Sequence, residues 1–287
     1  MSTTYNPSIS QALVETITGG PPPPPPGGAL FDYILTIPME NQSFSNIIGP
    51  ASYVTSLANA YSLLSNYTKV SSPSEGNYVG MIAGATYGFT GDCGYCPDRS
   101  SADTICQRIV NSGRTVKLFA EDASGSGTPQ FQPPRGGDHF AFITFSQNNQ
   151  DPRIYQNYVS ASSPSCPELI SHLNSGNPAN YLWLTPNDQD NMHDSSVSFG
   201  DNYLSNLVPN ILSSTLFQTK RAVLNIVWDE NGSQIASVWI GNVVKRGFVS
   251  GIFHDHYSYC ATIEAAWGLA NLGQNDASAT PITEVFQ

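Results

Sequence analysis

The chain has 287 residues, with 11 Lys and Arg against 22 Asp and Glu, a net charge of −11 and only 11% charged residues. That balance, with a pI of about 4.6, excludes a protein that wraps a nucleic-acid backbone, which requires clustered Lys and Arg. Apolar residues make up 40% of the chain, enough for a large core, yet no run of about 18 apolar residues marks a transmembrane segment.

Residues 1–28 read as an N-terminal arm and Pro-rich linker. A short apolar stretch, Ile9 to Ile17, precedes GGPPPPPPGG at Gly19 to Gly28. Six prolines form a stiff polyproline II rod with flexible ends. The arm is a candidate for self-assembly by docking on a neighbouring subunit. No basic segment followed by an apolar one opens the chain, so no signal peptide is visible in this sequence, as would also be so of a chain from which one had been removed.

Residues 29–287 read as the folded domain. ALFDYILTIPM is a buried strand, rich in β-branched residues. Residues 51–65 carry Val54, Leu57, Ala58, Tyr61 and Leu64 at helical spacing. A helix is expected over 101–112, then a strand from Thr115 to Asp122, and HFAFITF as a third short strand. Asn180 to Pro186 reads as a strand and 200–217 as a helix. RAVLNIVWDE and SQIASVWIG are strands, and HYSYCATIEAAWGLANLG is a helix ending at a glycine. Strands alternating with helices define an α/β layered sandwich with a mostly parallel sheet.

Acidic and ligand-type residues gather at the strand ends, the usual site of such folds. They are Met39-Glu40-Asn41; PNDQDNMHD with Asp188, Asp190, His193 and Asp194; Asp229-Glu230; and His254, Asp255 and His256. Carboxylates crowded at a sheet edge repel one another unless a divalent cation offsets them, and a carboxylate and imidazole set suits several metals. Taken singly, each cluster also fits ordinary turn and cap residues. SSPSEGNYVGMIAG offers Ser74 at the amino end of a helix-like run, a place that favours anion binding. Five cysteines are Cys93, Cys96, Cys106, Cys166 and Cys260. One or two structural disulfides among the first four are expected, with Cys260 a buried thiol. Low charge, abundant Ser, Asn and Thr, and sequons at Asn41, Asn66 and Asn231 suit an extracellular location.

Five blocks, in order, resemble the phosphoesterase family of acid phosphatases and bacterial phospholipases C, within the alkaline phosphatase superfamily. They are MENQSFSNIIG, SPSEGNYVGMIAGATYG, TPNDQDNMHD, IVWDENG and HDHYSYCATIEAAWGL. The resemblance implies an alkaline phosphatase-like three-layer α/β/α sandwich. It implies hydrolysis of small phosphate monoesters through a phosphoserine intermediate, assisted by one or two divalent metal ions (zinc, manganese, calcium or magnesium). By position, Ser74 is the nucleophile, and it shares a metal with Glu40, Asn41, Asp229 and Glu230. Asp190, His193, Asp194 and His256 form a second cluster for another metal or the substrate phosphate. Asn77 donates to a phosphate oxygen, His256 activates water, and His139 in GGDHFAF resembles a family His. Ser72 stands where family members have His, Gly76 where they have Pro, and Asp190-Asn191 where they have Asn-Asp. Alternatives are a phospholipase C-type phosphodiesterase, or a non-catalytic extracellular assembly or surface protein on the same fold. The acidic charge argues for an acid pH optimum, because at neutral pH it opposes a phosphate dianion within about 8–10 Å.

Overall fold

A computed structural model describes residues 27–125 and 131–287. The apolar stretch and proline run expected as an assembly arm lie almost wholly outside the described residues. Nine strands form one sheet: β1 (Tyr33–Met39), β2 (Ser62–Thr68), β3 (Val116–Glu121), β4 (Tyr158–Ala161), β5 (Tyr181–Thr185), β6 (Ala222–Trp228), β7 (Ile235–Gly241), β8 (Phe248–Ser250) and β9 (His254–Asp255). Their order is β4-β3-β5-β1-β6-β7-β2-β8, with β9 paired to β2. Every pairing is parallel except those of β7 with β6 and with β2.

The longer helices are α1 (Ser52–Ala60), α2 (Glu75–Ala83), α3 (Ile105–Asn111), α4 (Pro167–Leu173), α5 (Val197–Leu212), α6 (Thr215–Thr219) and α7 (His256–Trp267). α2, α3 and α7 pack together in one layer, and α1, α4, α5 and α6 in the other. The sheet therefore has both faces covered, which is why β6 and β7 are buried at every position and read as continuous apolar runs. Helix ends follow local chemistry. Thr104 and Asp255 close capping boxes on α3 and α7.

The register of β1 on β6 sets up the site. Met39 lies opposite Trp228, so the next residues, Glu40 and Asp229, leave adjacent central strands together at the carboxyl edge. β5 flanks β1 on its other side and delivers the 186–194 loop to the same edge.

Several local expectations give way to tertiary packing. The helix expected over 51–65 stops at Ala60, and Ser62–Thr68 is β2, because Leu63, Leu64 and Tyr67 find burial in the sheet between β7 and β8. HFAFITF is not a strand. It forms a helical turn, Gly136–His139, and a 3-10 turn, Ala141–Thr144, because β4 and β5 already occupy both sides of β3. The 200–217 segment is two helices, split where Ser214 adopts an extended backbone before α6. The last helix ends at Trp267, where Gly268 turns left-handed with φ 62°. One disulfide forms among the described residues, Cys93–Cys96. Cys106 and Cys166 are buried free thiols, as is Cys260.

Candidate active site

Ser74 opens α2 and is 2% exposed. Its hydroxyl donates to Glu40 Oε2 at 3.1 Å and also interacts with Asp229. Glu40 Oε1 accepts from the Tyr78 hydroxyl, one turn further along α2. The Asn41 backbone N–H donates to Asp229 Oδ1 at 3.0 Å, from a left-handed turn at φ 47° that brings it back over the strand end. Glu40 is fully buried and Asp229 1% exposed. Burial, reinforced by Asp229, raises the Glu40 carboxyl well above its ordinary range. Burial raises Asp229 too, against the pull of the Asn41 N–H and the Ser74 hydroxyl.

His139 links this centre to a second one. Its ring is fully buried, with Nε2 3.3 Å from Glu40 Oε1 and Nδ1 3.3 Å from Asp188 Oδ1. Neither contact has hydrogen-bonding geometry, and both ring nitrogens stay unsatisfied. Asp188, His193 and Asp194 present ligand atoms within 4.8 Å of one another. They are assembled by a tight loop in which Asn187 Oδ1 accepts from the N–H of Gln189 and of Asp190, while Met192 takes φ 81°. His193 Nδ1 lies 2.6 Å from Asp194 Oδ1. Burial alone would raise Asp188, but His139, Arg135 and His193 around it hold its carboxyl below the usual value.

The structure redistributes the expected site residues. Ser74, Glu40, Asn41 and Asp229 meet, as do His193 and Asp194. Asp190 does not join that pair; it turns to Glu121 and lines a separate cavity of about 310 Å³ with Tyr203 and Phe199. The loop conformation gives its expected place to Asp188. His256 is not in the second cluster either. Its Nε2 contacts the Asp229 carbonyl at 2.7 Å and its Nδ1 the Tyr67 hydroxyl at 3.1 Å, and burial lowers its pKa to about 4. Neutral and with both nitrogens engaged, it buttresses the Asp229 backbone and has no free nitrogen for water or metal. Asn77 is fully buried, its Oδ1 accepting from the N–H of Val70 and Ser71 and one Nδ2 hydrogen donating to the Ser71 carbonyl. It holds the turn that precedes Ser74. Glu230 pairs with Lys69 at 3.4 Å and accepts from Ser72. Gly76, where a proline was expected, is required by close approach, because a Cβ there would lie 2.2 Å from Ser71 Oγ.

Sequence reasoning passed over Tyr78, Arg135 and Asp138. Tyr78 lies four residues after Ser74, one helical turn on, a spacing that predicts contact with whatever Ser74 touches. Arg135 lies in a loop with no periodicity to mark it. Its Nε is 3.1 Å from Asp138 Oδ2 and 3.6 Å from Asp188 Oδ2. The turn is braced by the Cys93–Cys96 loop, through Gly137 N–H to the Gly94 carbonyl at 2.6 Å.

The donor set fits a divalent cation. Asp229 Oδ2 is buried with no hydrogen-bond partner, beside the buried Glu40 carboxyl, which burial and then the Asp229 charge push up. A buried orphan carboxylate oxygen is costly unless a cation satisfies it.

A three-layer sandwich with a buried serine and buried carboxylates at the carboxyl edge of its sheet is an arrangement suited to nucleophilic group transfer. The chain matches the Phosphoesterase family over residues 50–270, and it belongs to that family. It is 25% identical over 272 residues to a phosphate-repressible acid phosphatase of Penicillium chrysogenum, covering 88% of this chain and 63% of that protein. It is 26% identical over 270 residues to a phosphatidylinositol-3-phosphatase of Mycobacterium tuberculosis, covering 89% and 83%. The chain thus spans less than two thirds of the Penicillium relative. Its fold is similar to that of a Vibrio parahaemolyticus protein in the alkaline phosphatase superfamily, with a TM-score of 0.57 at 8% identity, over 96% of this chain and 79% of the other.

Proposed function

We propose that this protein is an acid-phosphatase-like enzyme that hydrolyses phosphate monoesters through a phosphoserine on Ser74. The observation that carries the reading is the buried Ser74 hydroxyl, oriented by Glu40 at 3.1 Å at the start of α2. Glu40 and Asp229, with Asn41 and Ser74 beside them, would hold one divalent ion. When bound, such an ion supplies a Lewis acid that lowers the serine pKa and offsets charge on the transferring phosphoryl group.

The chain's own residues then divide the work. Glu40 Oε2 holds the hydroxyl proton and so aims the Ser74 oxygen lone pairs away from itself. Tyr78 fixes the Glu40 carboxylate from its other oxygen, and the His139 ring lies beside that oxygen at 3.3 Å. The Ser74 oxygen attacks phosphorus as its proton passes to Glu40, the bond to the ester oxygen breaks, and the departing oxygen takes a proton from water to leave as the alcohol. Attack of water on phosphoserine releases phosphate and restores the hydroxyl.

An acid working pH is supported by the carboxylates. Burial raises the pKa of Glu75, Glu121, Asp138, Asp190 and Glu264, all outside the proposed metal ligands. Each binds its proton more tightly folded than unfolded, so each favours the fold at acid pH. An extracellular location is supported by the Cys93–Cys96 disulfide and the uncharged polar composition. The test is turnover of an aryl phosphate across pH 3–9 by wild type and Ser74→Ala. Metal-dependent turnover that peaks below pH 7 and falls by about 1,000-fold or more in the variant is expected. Equal turnover in both proteins would refute the assignment.

A further inference from the structure

Arg135 sits inside the second cluster, where a cation would be expected. Besides its contacts with Asp138 and Asp188, its Nη2 lies 3.2 Å from His193 Nε2. Arginine has no acceptor, so His193 Nε2 must accept from it. The ring proton then lies on Nδ1, shared with Asp194 at 2.6 Å. The imidazole lone pair that would bind a metal is thus already taken. The carboxylate of Asp188 is likewise faced by the guanidinium, and the third side of the cluster is closed by fully buried His139. Arg135 is held there by its backbone. The Gly136–His139 turn follows it directly, and that turn is pinned to the Gly94 carbonyl. Gly136 itself leaves no room for a side chain, since a Cβ would lie 1.7 Å from the Gly94 oxygen.

We propose that Arg135 is the built-in cation of this half of the site. Its guanidinium stands in for a second metal ion at Asp188, His193 and Asp194, and limits the protein to the one ion at Glu40 and Asp229. A guanidinium remains charged at every working pH, so this positive charge does not depend on metal supply. With its side chain about one-third exposed, Arg135 can also face an incoming phosphate.

The proposal builds on the metal reading of the Ser74 centre, and the experiment separates the two. Manganese(II) is titrated calorimetrically into the metal-stripped full chain, with metal content checked by elemental analysis. The proteins are wild type, Arg135→Ala, Arg135→Lys and the double variant Arg135→Ala/His193→Ala, each shown to be folded by its thermal transition. The expected result is one more ion per chain in Arg135→Ala than in wild type. That extra ion disappears in the double variant and is absent in Arg135→Lys. Equal ion counts in wild type and Arg135→Ala would overturn the proposal, as would two ions in wild type. A wild type that binds no ion while Arg135→Ala binds one would refute the metal reading of the Ser74 centre and still support the role of Arg135.

Discussion

The Ser74 hydroxyl donates to Glu40 across 3.1 Å, joining the first residue of a helix to the end of a strand 34 positions earlier. Neither residue could be prepared for chemistry by its own segment. Glu40 is buried because β1 is a central strand, and Ser74 reaches it because α2 begins above that strand's carboxyl end. Tyr78 completes the arrangement from the next helical turn.

Tyr78→Phe therefore removes a buried donor from Glu40 and leaves shape unchanged. Loss of one hydrogen bond to a buried carboxylate should destabilise the protein by about 1–3 kcal/mol, read by urea denaturation. With Glu40 less constrained, kcat for an aryl phosphate should fall by roughly 10-fold or more. An unchanged kcat would show that Glu40 is positioned without Tyr78.

Asp188 and Asp190 are two residues apart and face different surroundings. Asp188 faces His139 and Arg135, and Asp190 faces Glu121. Asp188→Asn should lower kcat/KM by about 100-fold, whereas Asp190→Asn should change it by less than about 5-fold and ease the carboxylate repulsion at Glu121. The opposite ranking would restore Asp190 to the site.

That pair shows where sequence reading reached its limit. The loop 186–194 was legible as a candidate ligand cluster, because it is one of several acidic and imidazole groups gathered at strand ends, although taken singly it also fits a turn. Which carboxylate points inward depends on the φ 81° turn at Met192 and the Asn187 side-chain caps, and no spacing rule encodes these. His256 shows the same limit. It was expected in the second cluster with Asp190, His193 and Asp194, yet its ring lies beside the Ser74 centre, consumed by the Tyr67 hydroxyl and the Asp229 carbonyl. The sheet was more legible than the site, since β1, β5, β6 and β7 are continuous apolar runs. β2 was hidden within a helical pattern, because its apolar residues continue the spacing of α1.

His256→Gln tests the structural role of that histidine. Its folded pKa, lowered to about 4 by burial, lies below its unfolded value. The stability it contributes is present above about pH 6.5 and is lost as pH falls toward 4. The variant should flatten this acid-side loss in a pH series of thermal transitions, and the pH–rate profile should keep its shape. A vanished limb in the pH–rate profile would instead make His256 an acid or base in the reaction.

Glu264 on α7 gives the opposite slope. Burial, with Asp276 beside it, raises its pKa to about 8. The folded state binds a proton that the unfolded state releases near pH 4.5, so stability falls as pH rises from about 4.5 to 8. Glu264→Gln should remove part of that fall, on the order of 2 kcal/mol at pH 8 relative to pH 5. A variant with the same pH slope as wild type would place the repulsion elsewhere.

The central claim is that Ser74 carries the phosphoryl group. The most direct measurement is acid quenching of the enzyme during turnover of a radiolabelled phosphate ester, followed by peptide mapping of the trapped label. The account predicts phosphoserine at Ser74, in the peptide that contains SPSEGNYVG, and none in Ser74→Ala. Full turnover by wild type with no trapped phosphate, or with phosphate on another residue, would contradict it.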